Sequence, residues 1–287
     1  MRYHTPATFE DASAIAAAAS GVTRFLAGGT DVLVQMRADI VTPDDLIDIK
    51  HIPGVKDIVQ EDDMCWSIGA AVAGAELTAH EGLCADWPGV IEGMGLVGST
   101  QVQGRATLIG NLCNGSPAAD SVPALAAAGA EVSVVGPKGT RQVKVEDIPA
   151  GPGRTTLAKG EVISGIYLPP RGQGGGDAYL RFIPRTAMDI AVVGCAVNLR
   201  VEGDKITEAR VVLGAVAPTI VVVEDAAKAL IGSTLDAKAL DALAAAASAA
   251  CRPINEKRGT IAFRTDVAGV LARRAAKIAY DRARGAK

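Results

Sequence analysis

The sequence predicts an α+β protein of two domains, and three observations carry that reading. The first is length and composition: 287 residues, 49% hydrophobic and 21% charged, enough to bury a sizeable core and too apolar for a disordered chain. The second is the C-terminal order of elements. Two long β runs near Ile190–Val201 and Ile206–Val216, joined by Glu202-Gly203-Asp204, precede helical segments at about 223–231, 236–251 and 263–283. That order predicts a small antiparallel sheet with helices on one side. The third is the Gly172-Gln173-Gly174-Gly175-Gly176 stretch, whose composition suits a linker or mobile loop between the halves.

The elements of the first half follow in order. An Ala-rich helix is expected over 8–20, started by Glu10-Asp11. Arg24–Leu26 is a short strand that runs into the Gly28-Gly29 turn, and Asp31–Arg37 has helical spacing. Leu46–Ile49 is a further strand. Val55–Val59 and Cys65–Ile68 flank Glu61-Asp62-Asp63 as a hairpin. Helices are expected near 74–80 and 87–96, and at Ser121–Ala130, where Pro123 suits a first turn. Glu131–Val135 and Arg141–Val145 bracket Gly-Pro-Lys-Gly-Thr as a second hairpin, and Val162–Leu168 is a strand.

Composition excludes several functions. A net charge of -3 gives no basic field for nucleic acid, and 3% aromatic residues leave few stacking platforms. No apolar run approaches the ~20 residues of a membrane span. The five cysteines are widely spaced and none sits in a C-x-x-C pair, which argues against a local metal site. Their odd number, and an opening Met-Arg-Tyr-His-Thr-Pro without an apolar core, predict a reducing cytoplasm. His4, His51 and His80 are scattered. The basic cluster Arg273, Arg274, Lys277, Arg282, Arg284 and Lys287 reads as a solvated or partner-facing helix face. G-x-G-x-x-G, Walker and G-x-S-x-G motifs are absent.

Two segments carry chemistry. Ala27-Gly28-Gly29-Thr30-Asp31 is a glycine turn feeding a helix, which lets backbone approach an anionic ligand closely. Thr107–Asp120, T-L-I-G-N-L-C-N-G-S-P-A-A-D, combines a Gly110-Asn111 tight turn, the hydroxyls of Thr107 and Ser116, and Asp120, which can accept from sugar hydroxyls or cap the helix at Ser121. Together they suggest one large anion held from two sides, though each alone is compatible with an ordinary turn.

Four segments together resemble the FAD-binding (medium, M) subunit of the xanthine dehydrogenase / carbon monoxide dehydrogenase family of molybdenum hydroxylases. They are A-G-G-T-D-V-L-V-Q-M-R (27–37), R-A-T-L-I-G-N-L-C-N-G-S-P-A-A-D-S-V-P-A-L (105–125), Y-L-R-F-I-P-R-T-A-M-D-I-A-V-V-G (179–194) and R-P-I-N-E-K-R-G (252–259). The resemblance implies a PCMH-type FAD-binding domain over 1–176, with subdomains of about 1–53 and 54–176. A C-terminal domain over 177–287 follows, with a three-stranded antiparallel sheet and helices. It places Leu26, Ala27, Gly28, Gly29, Thr30, Asp31 and Val32 on the FAD diphosphate, and adds contacts from Thr107, Gly110, Asn111, Cys113, Asn114, Ser116 and Asp120. Ile163, Arg181 and Ile190 are implied beside the flavin ring.

By the same resemblance, FAD is this chain's cofactor. A separate large subunit carries the molybdenum cofactor, a small subunit carries two [2Fe-2S] clusters, and the assembly is a dimer of heterotrimers. The chain would pass electrons from the clusters to an external acceptor, with no catalytic residue and no metal of its own. Two departures stand out. Ile109 replaces a family glycine and, being β-branched, resists positive φ. Gln103-Gly104 stands where relatives carry Arg-Asn. They keep a non-catalytic assembly module open as one alternative; a stand-alone FAD-dependent NAD(P)H oxidoreductase is the other.

Overall fold

The computed structural model describes residues 1–285, so Lys287 of the basic cluster lies outside the described residues. The chain opens with β1 (Arg2–His4), α1 (Phe9–Ala18), β2 (Thr23–Leu26), α2 (Val32–Arg37) and β3 (Asp45–Asp48). The three strands form a parallel sheet in the order β1-β3-β2. Arg2 and His4 each reach Asp45 at 2.7 Å, and these bonds pull its carboxyl down to about 2. Thr8 starts α1 by accepting the Asp11 N–H at 3.0 Å.

The next stretch contains β4 (Ile58–Gln60), β5 (Trp66–Gly69), α3 (Gly74–Ala79), α4 (Glu81–Asp86), α5 (Pro88–Gly95), α6 (Thr100–Gln103), α7 (Leu108–Cys113) and α8 (Ser121–Ala127). It continues through β6 (Glu131–Gly136), β7 (Gly139–Lys144), a 3-10 turn at Val145–Asp147, the small hairpin β8 (Pro149–Gly151) and β9 (Arg154–Thr155), and β10 (Val162–Leu168). Five of these strands make an antiparallel sheet, β4-β5-β10-β6-β7, with both expected hairpins at its edges. A register shift between Ile163 and Gly165 interrupts the β10–β6 pairing.

The last part contains β11 (Gly175–Phe182), β12 (Val193–Glu202), β13 (Lys205–Gly214), β14 (Val221–Val222), α9 (Glu224–Leu230), α10 (Ala237–Ala250) and α11 (Ile261–Ala283). The strands pair antiparallel in that order, so a two-residue strand extends the expected three. Cys195, Val197, Leu199, Val211 and Leu213 pack with Ala226, Leu243, Ala272 and Ala276 of the helices. The opposite face gives Tyr179, Ala196 and Val212 to the core that contains Val90 of α5 and Leu125 of α8. Burial on both faces explains why these strands read as continuous apolar runs instead of alternating.

Gly172–Gly176 is only partly a connector. Gly172 and Gly174 turn with φ of 69° and 71°, but Gly175 and Gly176 already belong to β11. A Cβ on Gly176 would lie 2.1 Å from the Ala279 carbonyl oxygen and 2.6 Å from the Ala283 nitrogen of α11. The glycine there permits a close strand–helix crossing, which composition alone resembles in a flexible loop.

Candidate cofactor site

One cleft of about 670 Å³ is lined from three sides. Ala27, Gly28, Gly29, Thr30 and Asp31, between β2 and α2, and Val32 at the start of α2 form the first wall. Thr107, Ile109, Gly110, Asn111, Cys113 and Asn114, on and beside α7, form the second. Ile163 of β10, buried at the bulge, contributes from the five-stranded sheet.

The walls are fastened to each other. Arg105 Nε donates to the Gly28 carbonyl at 3.1 Å, and a Cβ on Gly28 would fall 1.9 Å from the Arg105 carbonyl oxygen. Gly29 turns with φ of 81°. At the other end, Asn114 Nδ2 donates to Asp31 Oδ1 and Gln35 Nε2 donates to Asn114 Oδ1, both at 3.2 Å. Among the described hydrogen bonds, none uses the Gly28, Gly29 or Thr30 N–H as donor to a chain carbonyl.

The Gly110-Asn111 pair is not a tight turn, because both residues are helical in α7. Thr107 caps this helix by accepting the Gly110 N–H at 2.9 Å. A Cβ on Gly110 would sit 2.9 Å from Thr107 Oγ1, so the glycine makes room for the cap and needs no positive φ. The same helical backbone accommodates Ile109, which is buried beside the cleft. Asn111 Oδ1 accepts from Ser121 Oγ at 2.7 Å, and its amide NH₂ has no partner among the described residues. Burial pushes the Cys113 thiol up to about 12, so it stays protonated at neutral pH.

Five expected site residues lie outside this lining. Leu26 is buried beneath Gly29. Ser116 Oγ accepts from Ala118 N–H at 3.3 Å inside its own turn. Asp120 makes no side-chain cap to α8; Oδ1 accepts from Tyr179 Oη at 2.9 Å and Oδ2 from Arg181 Nη1 at 2.5 Å. Burial raises Asp120 to about 6, against the opposing pull of the Arg181 charge and the Tyr179 hydrogen bond. Arg181 also donates to the Asp189 carbonyl at 3.4 Å, and its buried Nε has no partner among the described residues. Ile190 is exposed in the loop between β11 and β12.

Sequence reasoning missed a further part of the lining, formed by Thr23, Arg24, Phe25 and Gln35 and by the 153–162 stretch that includes Lys159, Gly160 and Glu161. Ala-Lys-Gly-Glu (158–161) reads as an ordinary turn before β10. Its only local mark is Gly160, with φ of 84°, where a Cβ would meet Ala17 Cβ of α1 at 2.8 Å.

These features fit a dinucleotide cofactor. Glycine backbone without Cβ atoms and with unused N–H groups suits a diphosphate, and apolar Phe25 and Ile163 suit flat ring surfaces. Fold and site thus define a nucleotide-cofactor protein with a cleft made from two distant motifs. Residues 1–171 match the family model for the FAD binding domain in molybdopterin dehydrogenase, and residues 178–279 match the CO dehydrogenase flavoprotein C-terminal domain. The carbon monoxide dehydrogenase medium chain of Afipia carboxidovorans is 33% identical, over 98% of this chain and 97% of that one. The xanthine dehydrogenase FAD-binding subunit of Escherichia coli O157:H7 is 28% identical, over 91% and 90%. A solved carbon monoxide dehydrogenase from Hydrogenophaga pseudoflava superposes with a TM-score of 0.93 at 32% identity, covering 98% of both chains. The chain belongs to the FAD-binding flavoprotein subunits of the molybdenum hydroxylase family.

Proposed function

We propose that this chain is the electron-transfer subunit of a multi-subunit molybdenum hydroxylase and holds its FAD in the cleft between the 27–32 turn and α7. In this reading a small subunit with two [2Fe-2S] clusters delivers electrons. A large subunit carries the molybdenum cofactor and oxidises the substrate, and the assembly is a dimer of heterotrimers. The medium-chain relatives support the subunit plan. FAD, when bound, supplies reversible two-electron chemistry that couples single-electron donors to an external acceptor.

The chain's own residues bind and orient. Gly28, Gly29 and Thr30 offer backbone donors to the diphosphate, Asn111 offers its amide NH₂, and Ile163 provides an apolar surface. Arg181 and Asp120 brace the wall from behind. Among the described residues, no group of three or more His, Cys, Asp or Glu is placed to hold a metal ion, and no helix is long and apolar enough to cross a membrane.

The observation that carries this reading is the convergence of two motifs, some 80 residues apart in sequence, on one cleft. The test is direct: purify the chain, record its absorption spectrum, and titrate the apo form with FAD. Stoichiometric binding with a flavin spectrum is expected. A chain that neither retains nor rebinds FAD overturns the proposal.

A further inference from the structure

The fourth motif, 252–259, contributes nothing to the cleft lining. It nevertheless sits at one end of a run of polar contacts that reaches Asp120, the chain neighbour of Ser121. Arg264 of α11 is buried; its Nη1 donates to the carbonyls of Val192 at 3.0 Å and Ala215 at 3.1 Å, and its Nη2 pairs with Glu256. The other Glu256 oxygen accepts from Arg258 Nη1 at 3.0 Å. Arg258 Nε reaches Asp189 Oδ1 at 3.4 Å, and Arg185 Nε reaches Asp189 Oδ2 at 3.3 Å. The Asp189 carbonyl accepts from Arg181, whose same nitrogen holds Asp120. Asp120 precedes Ser121, and the Ser121 hydroxyl fixes the amide of Asn111 in the cleft wall.

Glu256 has Arg258 and Arg264 as donors, Asp120 has Arg181 and Tyr179, and Asp189 has Arg185, Arg258 and the Ile190 N–H at 2.8 Å. The side chains of Arg181 and Asp120 are only 6% and 8% exposed. Burying that pair costs desolvation free energy that a packed apolar contact avoids, so the pair is weak as a source of stability. Removing one link leaves its neighbours under-compensated, and the relaxation travels along contacts that are already in place.

We infer that Glu256 and Arg258 are positioning residues for the cofactor cleft: they hold the 183–190 loop and, through Asp189, set Arg181, Asp120 and the Asn111 wall. This rests on the reading that the cleft binds FAD. The test titrates FAD into the full apo chain and follows flavin fluorescence. Arg258→Ala is expected to weaken FAD binding about three- to tenfold, and Arg258→Lys to recover part of the loss. Arg273→Ala breaks a 2.5 Å ion pair to Asp241 between α10 and α11 and should leave the FAD affinity unchanged. An Arg258→Ala/Asn111→Ala cycle should lose less than the sum of the single losses.

Unchanged affinity in Arg258→Ala, an equal loss in Arg273→Ala, or strict additivity overturns the inference. If Arg258→Ala does not fold, the nearly isosteric Glu256→Gln takes its place. A wild-type chain that binds no FAD refutes the cofactor reading alone. The loop claim is then read with trypsin: cleavage after the exposed Arg185 must accelerate in Arg258→Ala, and an unchanged rate refutes it.

Discussion

Gly28 has no room for a side chain, because the Arg105 carbonyl oxygen lies 1.9 Å from where a Cβ would sit. Gly28→Ala must push the two cleft walls apart and strain the Arg105–Gly28 hydrogen bond. We expect FAD affinity to fall at least about tenfold, measured by fluorescence titration. Asn111→Ala removes an oriented donor and should cost a similar factor, about 1–2 kcal/mol. Asp120 predicts a pH effect. Its folded pKa of about 6 lies above the ordinary 3.8, so the folded chain binds this proton more tightly than the unfolded one. The stability it contributes is therefore greatest below pH ~4 and declines as pH rises through about 6. Asp120→Asn lacks that slope. Urea unfolding across this range should show wild-type stability falling relative to the variant, and a pH-independent difference would refute the assignment.

At the level of elements, backbone contacts decide more than side-chain chemistry. The Cβ of Gly176→Ala would collide with α11 backbone at two atoms, forcing β11 away from its helix. Overpacking of this kind costs about 1–3 kcal/mol, and at roughly 2–4 °C per kcal/mol the melting temperature should drop by several degrees. Thr107→Ala loses the cap of α7, worth about 1 kcal/mol. Because α7 is a cleft wall, its FAD affinity should fall together with its melting temperature. A capping loss without an affinity loss would show that the first turn of α7 does not contact the ligand.

Across the whole molecule, the C-terminal sheet is the shared centre. Its outer face carries α9–α11 and its inner face completes the core around α5 and α8. Polar bolts cross the same junction. Arg210 donates to the Ala126 carbonyl at 2.8 Å and to Glu146 at 2.6 Å, Asn198 donates to the Ala127 carbonyl at 3.1 Å, and Arg282 pairs with Glu92 at 2.5 Å. Glu92 also accepts the Tyr179 N–H at 2.9 Å. Two halves joined this way should melt together, so calorimetry of the wild-type chain is expected to show one transition. Arg210→Ala leaves the Ala126 carbonyl and Glu146 without this donor and should cost about 1–3 kcal/mol. Two resolved transitions in the wild type would show that the halves unfold independently.

Elements with strong local signals were legible from sequence. The strand Val162–Leu168 and the three C-terminal helices appear within a few residues of their expected positions, because apolar patterning acts locally, as does the acidic first turn of α9. The short helices α4, α6 and α7 were missed, since a single turn carries little periodicity and Gly110-Asn111 imitates a loop. Asp120 looked like a cap because it precedes a helix, and only the approach of β11 supplied Tyr179 and Arg181 as stronger partners. By itself the sequence determined the α+β class, the family and the two motifs that face the cleft, for these depend on residue type and short-range order. Tertiary structure alone decided that 158–161 lines the cleft, that Ile109 stands in a helix with no need of positive φ, and that Arg258 of the 252–259 motif meets Asp189, whose carbonyl meets Arg181. Those outcomes depend on which distant backbone arrives opposite a given side chain, and no local pattern encodes that.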